Sequence, residues 1–240
     1  MQKKWKITIT AIIIILIAII GGTIWYAEDY YHADSSVNQY FNKSGNVSVI
    51  ETDEGLFVDG PGNESAVIFY QGAKVEHTAY LPGAYKLASK GVDCFLIDMP
   101  FKLAFFGEGK TDNIIKNYNY THWYMAGHSL GGLMGANYAS EHNTIEGVIL
   151  LAGYSTYDLK NKNLKVLSIY GTKDTKLNLE TYKENIKNLP SDYTEYLIKG
   201  GNHAQYGNYG FQEGDSKASI SADKQQTETV DVIVKFILGN

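Results

Sequence analysis

Short, largely apolar runs alternate with helical stretches along residues 47–240, and this rhythm constrains the fold more than any other feature of the chain. The runs are residues 66–70, 92–97, 123–126, 147–151, 166–170 and 193–198. Helical stretches fall at 78–89, 130–141, 179–188 and 223–238. Strands that do not alternate apolar with polar residues are covered on both faces, and parallel sheets wound with helices bury strands in that way. The pattern therefore predicts an α/β fold, a mostly parallel sheet with helices on both faces. Residues 47–51 and 55–59 read as an opening hairpin turned at Asp53-Glu54-Gly55. Only residues 152–165 separate two of the apolar runs, which leaves room for a minimal cap domain or none.

A different kind of segment precedes this domain. Residues 7–25 carry no charge and are dominated by isoleucine, close to the roughly 20 apolar residues that a membrane-crossing helix needs. Lys3, Lys4 and Lys6 precede the run and Glu28, Asp29 and Asp34 follow it, so the Lys-rich side is expected in the cytoplasm and the rest of the chain outside. Trp5, Trp25 and Tyr26 sit where interfacial aromatics belong. A cleaved signal peptide would need small residues after the run, but Ile24-Trp25-Tyr26-Ala27 is bulky there. Residues 1–26 are thus expected to form an uncleaved membrane anchor, 27–46 a polar tether with one helical turn, and 47–240 the globular domain.

Charge excludes one class of partner. The chain holds 21 Lys+Arg against 26 Asp+Glu, and every one of the basic residues is Lys. An acidic surface without Arg lacks the positive face and the bidentate donors that nucleic-acid binding uses. The single cysteine, Cys94, excludes an internal disulfide and a cysteine zinc cluster, and its place inside an apolar run reads as a small buried hydrophobe. His32, His77, His122 and His142 have no His or carboxylate at metal-ligand spacing, so neither a metal nor a cofactor is expected.

In parallel α/β sheets ligands bind at the carboxyl ends of the strands, and the loops there carry a suggestive set of residues. After the run 123–126 comes Gly127-His128-Ser129-Leu130-Gly131-Gly132 and then a helix. This is G-x-S-x-G at a strand-to-helix junction, where a tight turn exposes the serine hydroxyl above a helix N-terminus. A serine needs a base held by a third group. Asp174 follows the run 166–170 and His203 follows the run 193–198, so hydroxyl, carboxylate and imidazole each lie just past a different strand at one sheet edge. Ser129, Asp174 and His203 are the expected catalytic triad. The oxyanion requires two donors, each worth about 10²–10³ in rate. Leu130 N–H, directly after the nucleophile, is one; the other belongs to Gln71-Gly72-Ala73-Lys74, assigned to Ala73 with Lys74 as the alternative. His128 is expected to pack, and Lys74 and Glu76 to cap or solvate the helix beginning near His77. Phe101, Phe105 and Phe106 lie in one apolar loop, which by default packs on the core, though three Phe there also suggest some contribution to a wall for a hydrophobic substrate group.

With these residues assembled, the chain resembles the α/β-hydrolases, and within them a widespread group of small bacterial serine hydrolases. The likeness rests on Tyr70-Gln71-Gly72-Ala73-Lys74-Val75-Glu76, Met99-Pro100-Phe101, the Gly127–Gly132 elbow, Ser168-Ile169-Tyr170-Gly171 and Gly200-Gly201-Asn202-His203-Ala204-Gln205-Tyr206-Gly207. Gln212-Glu213-Gly214-Asp215 and Ala218-Ser219-Ile220-Ser221 belong to the same pattern, which usually has Gly where Ser216 stands. It spans residues 47–238. The resemblance implies a serine hydrolase acting on an ester-like bond and leaves the substrate open. The expected activity is cleavage of small, lipid-like carboxylic esters through an acyl-enzyme, by a single-pass protein of the cell membrane with its catalytic domain outside. A thioesterase or peptidase with the same triad is the alternative among enzymes, and a hydrolase-like binding protein the alternative outside them.

Overall fold

A computed structural model describes residues 2–43 and 45–239. The chain divides into two compact units, residues 1–30 and 31–240. The first is a single helix, α1 (Gln2–Glu28). Ile12 to Ile17, Ile19 and Ile20 are exposed on it. Among the described residues no helix is long and apolar enough to cross a membrane. The anchor reading also draws on Lys3, Lys4, Ile7, Ile24 and Trp25, whose side chains lie outside the described residues.

In the second unit one eight-stranded sheet runs through the whole domain. Its strands are β1 (Ser48–Thr52), β2 (Gly55–Asp59), β3 (Ser65–Tyr70), β4 (Asp93–Ile97), β5 (His122–His128), β6 (Ile145–Leu151), β7 (Lys165–Gly171) and β8 (Thr194–Ile198). They lie in the order β1-β2-β4-β3-β5-β6-β7-β8. The hairpin of β1 and β2 is antiparallel, as is β2 to β4, and every later pairing is parallel. The period of two along each strand divides the core. Val67 and Phe69 of β3, Cys94 and Leu96 of β4, and Tyr124 and Ala126 of β5 face a layer completed by α3 (Leu81–Ser89) and α7 (Ala222–Leu238). Ile68 and Tyr70, Phe95 and Ile97, and Trp123 and Met125 face the opposite layer, with α4 (Glu108–Asn117) and α5 (Leu130–Glu141). The remaining helices are α2 (Asn38–Phe41) and α6 (Leu179–Asn185). Among the described residues no helix lies between β6 and β7, so no cap domain is inserted there.

Two elements differ from the sequence reading. Helix α4 was not expected: of its ten residues only Thr111 and Ile114 are buried, too few to mark an apolar stripe. The tether is also shorter than its polar composition implies. Tyr31 pairs with Val75 as a β-bridge, through Tyr31 N–H to the Lys74 carbonyl at 2.7 Å and Glu76 N–H to the Tyr31 carbonyl at 2.9 Å. Asp34 N–H donates to the Asn208 carbonyl at 2.7 Å, and Val37 is buried. The segment from Tyr31 onward is thus part of the folded domain. Glu76 accepts Ala33 N–H at 3.0 Å, so it fastens this segment rather than capping a helix.

Candidate active site

Ser129 sits between the end of β5 and the start of α5 at φ 54° and ψ −117°. A non-glycine residue in that region costs about 1–3 kcal/mol of strain and persists only where its surroundings impose it. Here they do: Ser129 N–H donates to the Leu151 carbonyl at 2.9 Å, and Gly132 and Leu133 N–H donate to the Ser129 carbonyl at 3.1 and 3.3 Å. The turn also needs bare backbone on both sides. A Cβ at Gly127 would lie 2.2 Å from the Gly131 carbonyl carbon, and one at Gly131 would lie 2.1 Å from the Tyr70 carbonyl oxygen. Strand β5, helix α5 and the end of β3 converge only because these positions carry no side chain. The result presents the Ser129 hydroxyl at the positive end of a twelve-residue helix.

Asp174 follows β7 and His203 follows β8, both with buried side chains, and Asp174 Oδ2 stands 2.8 Å from His203 Nδ1. Since a carboxylate only accepts, Nδ1 carries the proton and Nε2 keeps its lone pair, which assigns the tautomer from the network. The other carboxylate oxygen accepts Lys176 and Leu177 N–H, each at 2.8 Å, which fixes its rotation. Ser129 and His203 line one cavity of about 250 Å³, walled by Leu130, Leu133, Tyr154 and Leu177. Among the described residues no hydrogen bond joins the Ser129 hydroxyl to the imidazole; without substrate such contacts are commonly long and tighten in the complex.

The loop after β3 lies against the start of α5. Lys74 N–H donates to the Lys102 carbonyl at 2.9 Å, and Gly72 N–H donates to Tyr80 Oη at 3.1 Å. Ala73 N–H has no such partner among the described residues, and Leu130 N–H opens α5, where the first amides lack an intrahelical acceptor. Of the two sequence candidates in the loop, Lys74 has its donor engaged and Ala73 does not. Gln71 is fully buried with neither end of its amide hydrogen-bonded.

The three phenylalanines depart from expectation. Phe101, Phe105 and Phe106 are each about half exposed, at 51, 56 and 54 %, and do not line the cavity shared by Ser129 and His203. Met99 and Ala104 of the same loop bury instead.

Several supporting residues were not singled out from the sequence. Asp215, buried, accepts Ala204 N–H at 3.0 Å with one oxygen and Thr175 N–H at 3.2 Å with the other. It joins the loop bearing His203 to the loop bearing Asp174. Gln225 of α7 clamps Asn202 through both backbone groups, at 3.0 and 2.8 Å. Tyr80 bonds His128 Nδ1 at 2.8 Å. No local pattern announces such contacts, because each joins segments distant in the chain. Cys94 is buried in β4, and burial pushes its thiol well above the ordinary value, so it is inert at neutral pH.

A serine on a strained strand-to-helix turn, followed in chain order by a paired acid and histidine on an eight-stranded sheet, is the arrangement of one enzyme superfamily. A family model described as "Alpha/beta hydrolase family" matches residues 66–227, and the chain belongs to that family and is a hydrolase. No curated protein matches the chain. Among solved structures, a predicted CIB-like hydrolase from Thermoplasma acidophilum is similar at 15 % identity and a TM-score of 0.62, covering 81 % of this chain and 100 % of that one. A dienelactone hydrolase from Anabaena variabilis is similar at 15 % identity and 0.60, over 81 % and 99 % of the two chains. A ferulic acid esterase from Streptomyces cinnamoneus is similar at 14 % identity and 0.58, over 74 % and 67 %. At these identities the likenesses establish the fold.

Proposed function

We propose that this α/β hydrolase is a serine esterase that cleaves carboxylic esters through an acyl-enzyme on Ser129. The observation that carries the reading is the Asp174–His203 pair, 2.8 Å apart, at a cavity that Ser129 also lines. In the proposed mechanism His203 Nε2 takes the hydroxyl proton as Ser129 Oγ attacks the ester carbonyl. Asp174 holds the imidazole in the tautomer that leaves Nε2 free and stabilises the imidazolium. Leu130 and Ala73 N–H receive the oxyanion, and His203 returns the proton to the departing alcohol. Water, deprotonated by the same nitrogen, then attacks the acyl carbonyl and frees Ser129. None of these steps draws on a cofactor.

The small cavity, with Leu130, Leu133 and Leu177 in its wall, suits a short acyl group. The test is a p-nitrophenyl ester series from acetyl to palmitoyl, with a matched thioester and anilide, on wild type and Ser129→Ala. We expect short-chain ester hydrolysis that Ser129→Ala loses. Thioester or anilide turnover far above ester turnover favours a thioesterase or peptidase, and no turnover of any of the three in a folded protein favours a binding role.

The place of the enzyme is a separate proposal, resting on the uncharged run 7–25 and its flanking charges. In this proposal residues 1–26 anchor the chain in the cell membrane as a single pass with the catalytic domain outside. Resistance to carbonate extraction, with protease access on intact cells, supports it; release by carbonate or protection from protease contradicts it.

A further inference from the structure

Behind the oxyanion loop lies a chain of polar groups that ester cleavage does not itself use. Gly72 N–H donates to Tyr80 Oη at 3.1 Å, and Tyr80 Oη is 2.8 Å from His128 Nδ1. Both side chains are buried, at 3 and 1 % exposure. Accepting from Gly72 leaves the phenol hydrogen available to Nδ1, and with that hydrogen on the Nδ1 lone pair a neutral His128 carries its own on Nε2. The ring is neutral: burial foremost, then the neighbouring His203, holds the imidazole well below the ordinary histidine value. The His203 backbone acts in the opposite sense, yet it does not satisfy Nε2, which is buried without a hydrogen-bond partner. The His128 ring stands 4.5 Å from the His203 ring. The loop is seated directly on the pair, since a Cβ at Gly72 would lie 2.8 Å from His128 Nδ1 and 3.0 Å from Tyr80 Oη.

We infer that Tyr80 and His128 are positioning residues that hold the loop bearing Ala73 N–H in register with the loop bearing His203. The inference rests on the serine-esterase reading. A neutral His128 is also what the site requires, because a second cation 4.5 Å away would oppose formation of the His203 imidazolium. Tyr80→Phe keeps the ring and removes the bridging oxygen. His128→Phe removes the acceptor, whereas His128→Asn places a carbonyl oxygen near the position of Nδ1.

The full chain in detergent is used throughout. Tyr80→Phe and His128→Phe are expected to lower kcat about tenfold to a hundredfold with KM within about twofold, as for loss of a donor that acts mainly in the transition state. His128→Asn should recover most of that loss. The double variant Tyr80→Phe/His128→Phe should be no slower than either single variant, because both break one link. Ring ¹⁵N spectra read the link without substrate: His128 should show a bare Nδ1 and a protonated Nε2 in wild type, and a changed Nδ1 signal in Tyr80→Phe. Wild-type kcat in Tyr80→Phe, additive losses in the double variant, or protonated Nδ1 in wild type overturns the inference. Failure of the esterase reading looks different, since wild type would then hydrolyse no ester while the ¹⁵N signature persists.

Discussion

Asp174 divides its carboxylate between two tasks: one oxygen stands 2.8 Å from His203 Nδ1, and the other accepts two amides of its own loop, Lys176 and Leu177. The two substitutions at this position therefore separate catalysis from architecture. Asp174→Asn keeps an oxygen for the amides but sets an NH₂ against Nδ1–H, which forces the wrong tautomer. We expect kcat for ester cleavage to fall about 10⁴-fold with the thermal midpoint nearly unchanged. Asp174→Ala should lose similar activity and also about 1–3 kcal/mol of stability, as both amides lose their buried acceptor. Steady-state kinetics and urea unfolding on both variants check this.

His128 gives the domain a pH dependence of known sign. Burial and the neighbouring His203 depress its proton affinity in the fold, so the unfolded chain binds the proton first. Its contribution to stability is complete above the unfolded histidine value of about 6.5 and is lost as pH falls below it, at up to about 1.4 kcal/mol per pH unit. Urea unfolding at pH 7.5, 6.5 and 5.5 should show this loss in wild type, and a shallower loss in His128→Asn. Equal slopes in the two proteins contradict it.

The segment from Tyr31 gives a prediction about where the domain can be cut. A chain beginning at residue 31 keeps the Tyr31–Lys74 and Tyr31–Glu76 bonds, the Asp34–Asn208 bond and buried Val37. One beginning at residue 47 loses them all, and we expect it to be less stable by about 2 kcal/mol or more. Its kcat should also fall, because Tyr31 is bridged directly to the loop that carries Ala73. Thermal unfolding and ester turnover of the two truncations test this.

The same segment marks the limit of what could be read before the structure. The strands were legible because β3 to β7 are covered on both sides and write themselves as apolar runs. Ser129, Asp174 and His203 were legible because each follows such a run at one sheet edge. Residues 31–43 read as a linker because backbone hydrogen bonds and side-chain-to-backbone contacts hold much of the segment, and composition does not encode those. Asp215, Tyr80 and Gln225 were missed for the related reason that their partners lie on other loops. The phenylalanine wall failed because an apolar loop at the active edge can expose its rings, as Phe101, Phe105 and Phe106 do.

Gln71 carries a cost that substitution can remove. Its amide is fully buried and unpaired at both ends, a desolvation penalty of about 1–3 kcal/mol. Gln71→Met, of similar length and shape, should raise stability by about 1 kcal/mol or more with ester kcat within about twofold. An unchanged or lowered thermal midpoint together with a raised KM would instead assign the amide to substrate binding.

The most direct test of the triad is covalent. Wild type incubated with a fluorophosphonate should gain a single adduct by intact mass, mapped by peptide sequencing to Ser129, absent in Ser129→Ala and formed far more slowly in Asp174→Asn. A folded wild type that takes no adduct, or one whose adduct persists in Ser129→Ala, contradicts the account.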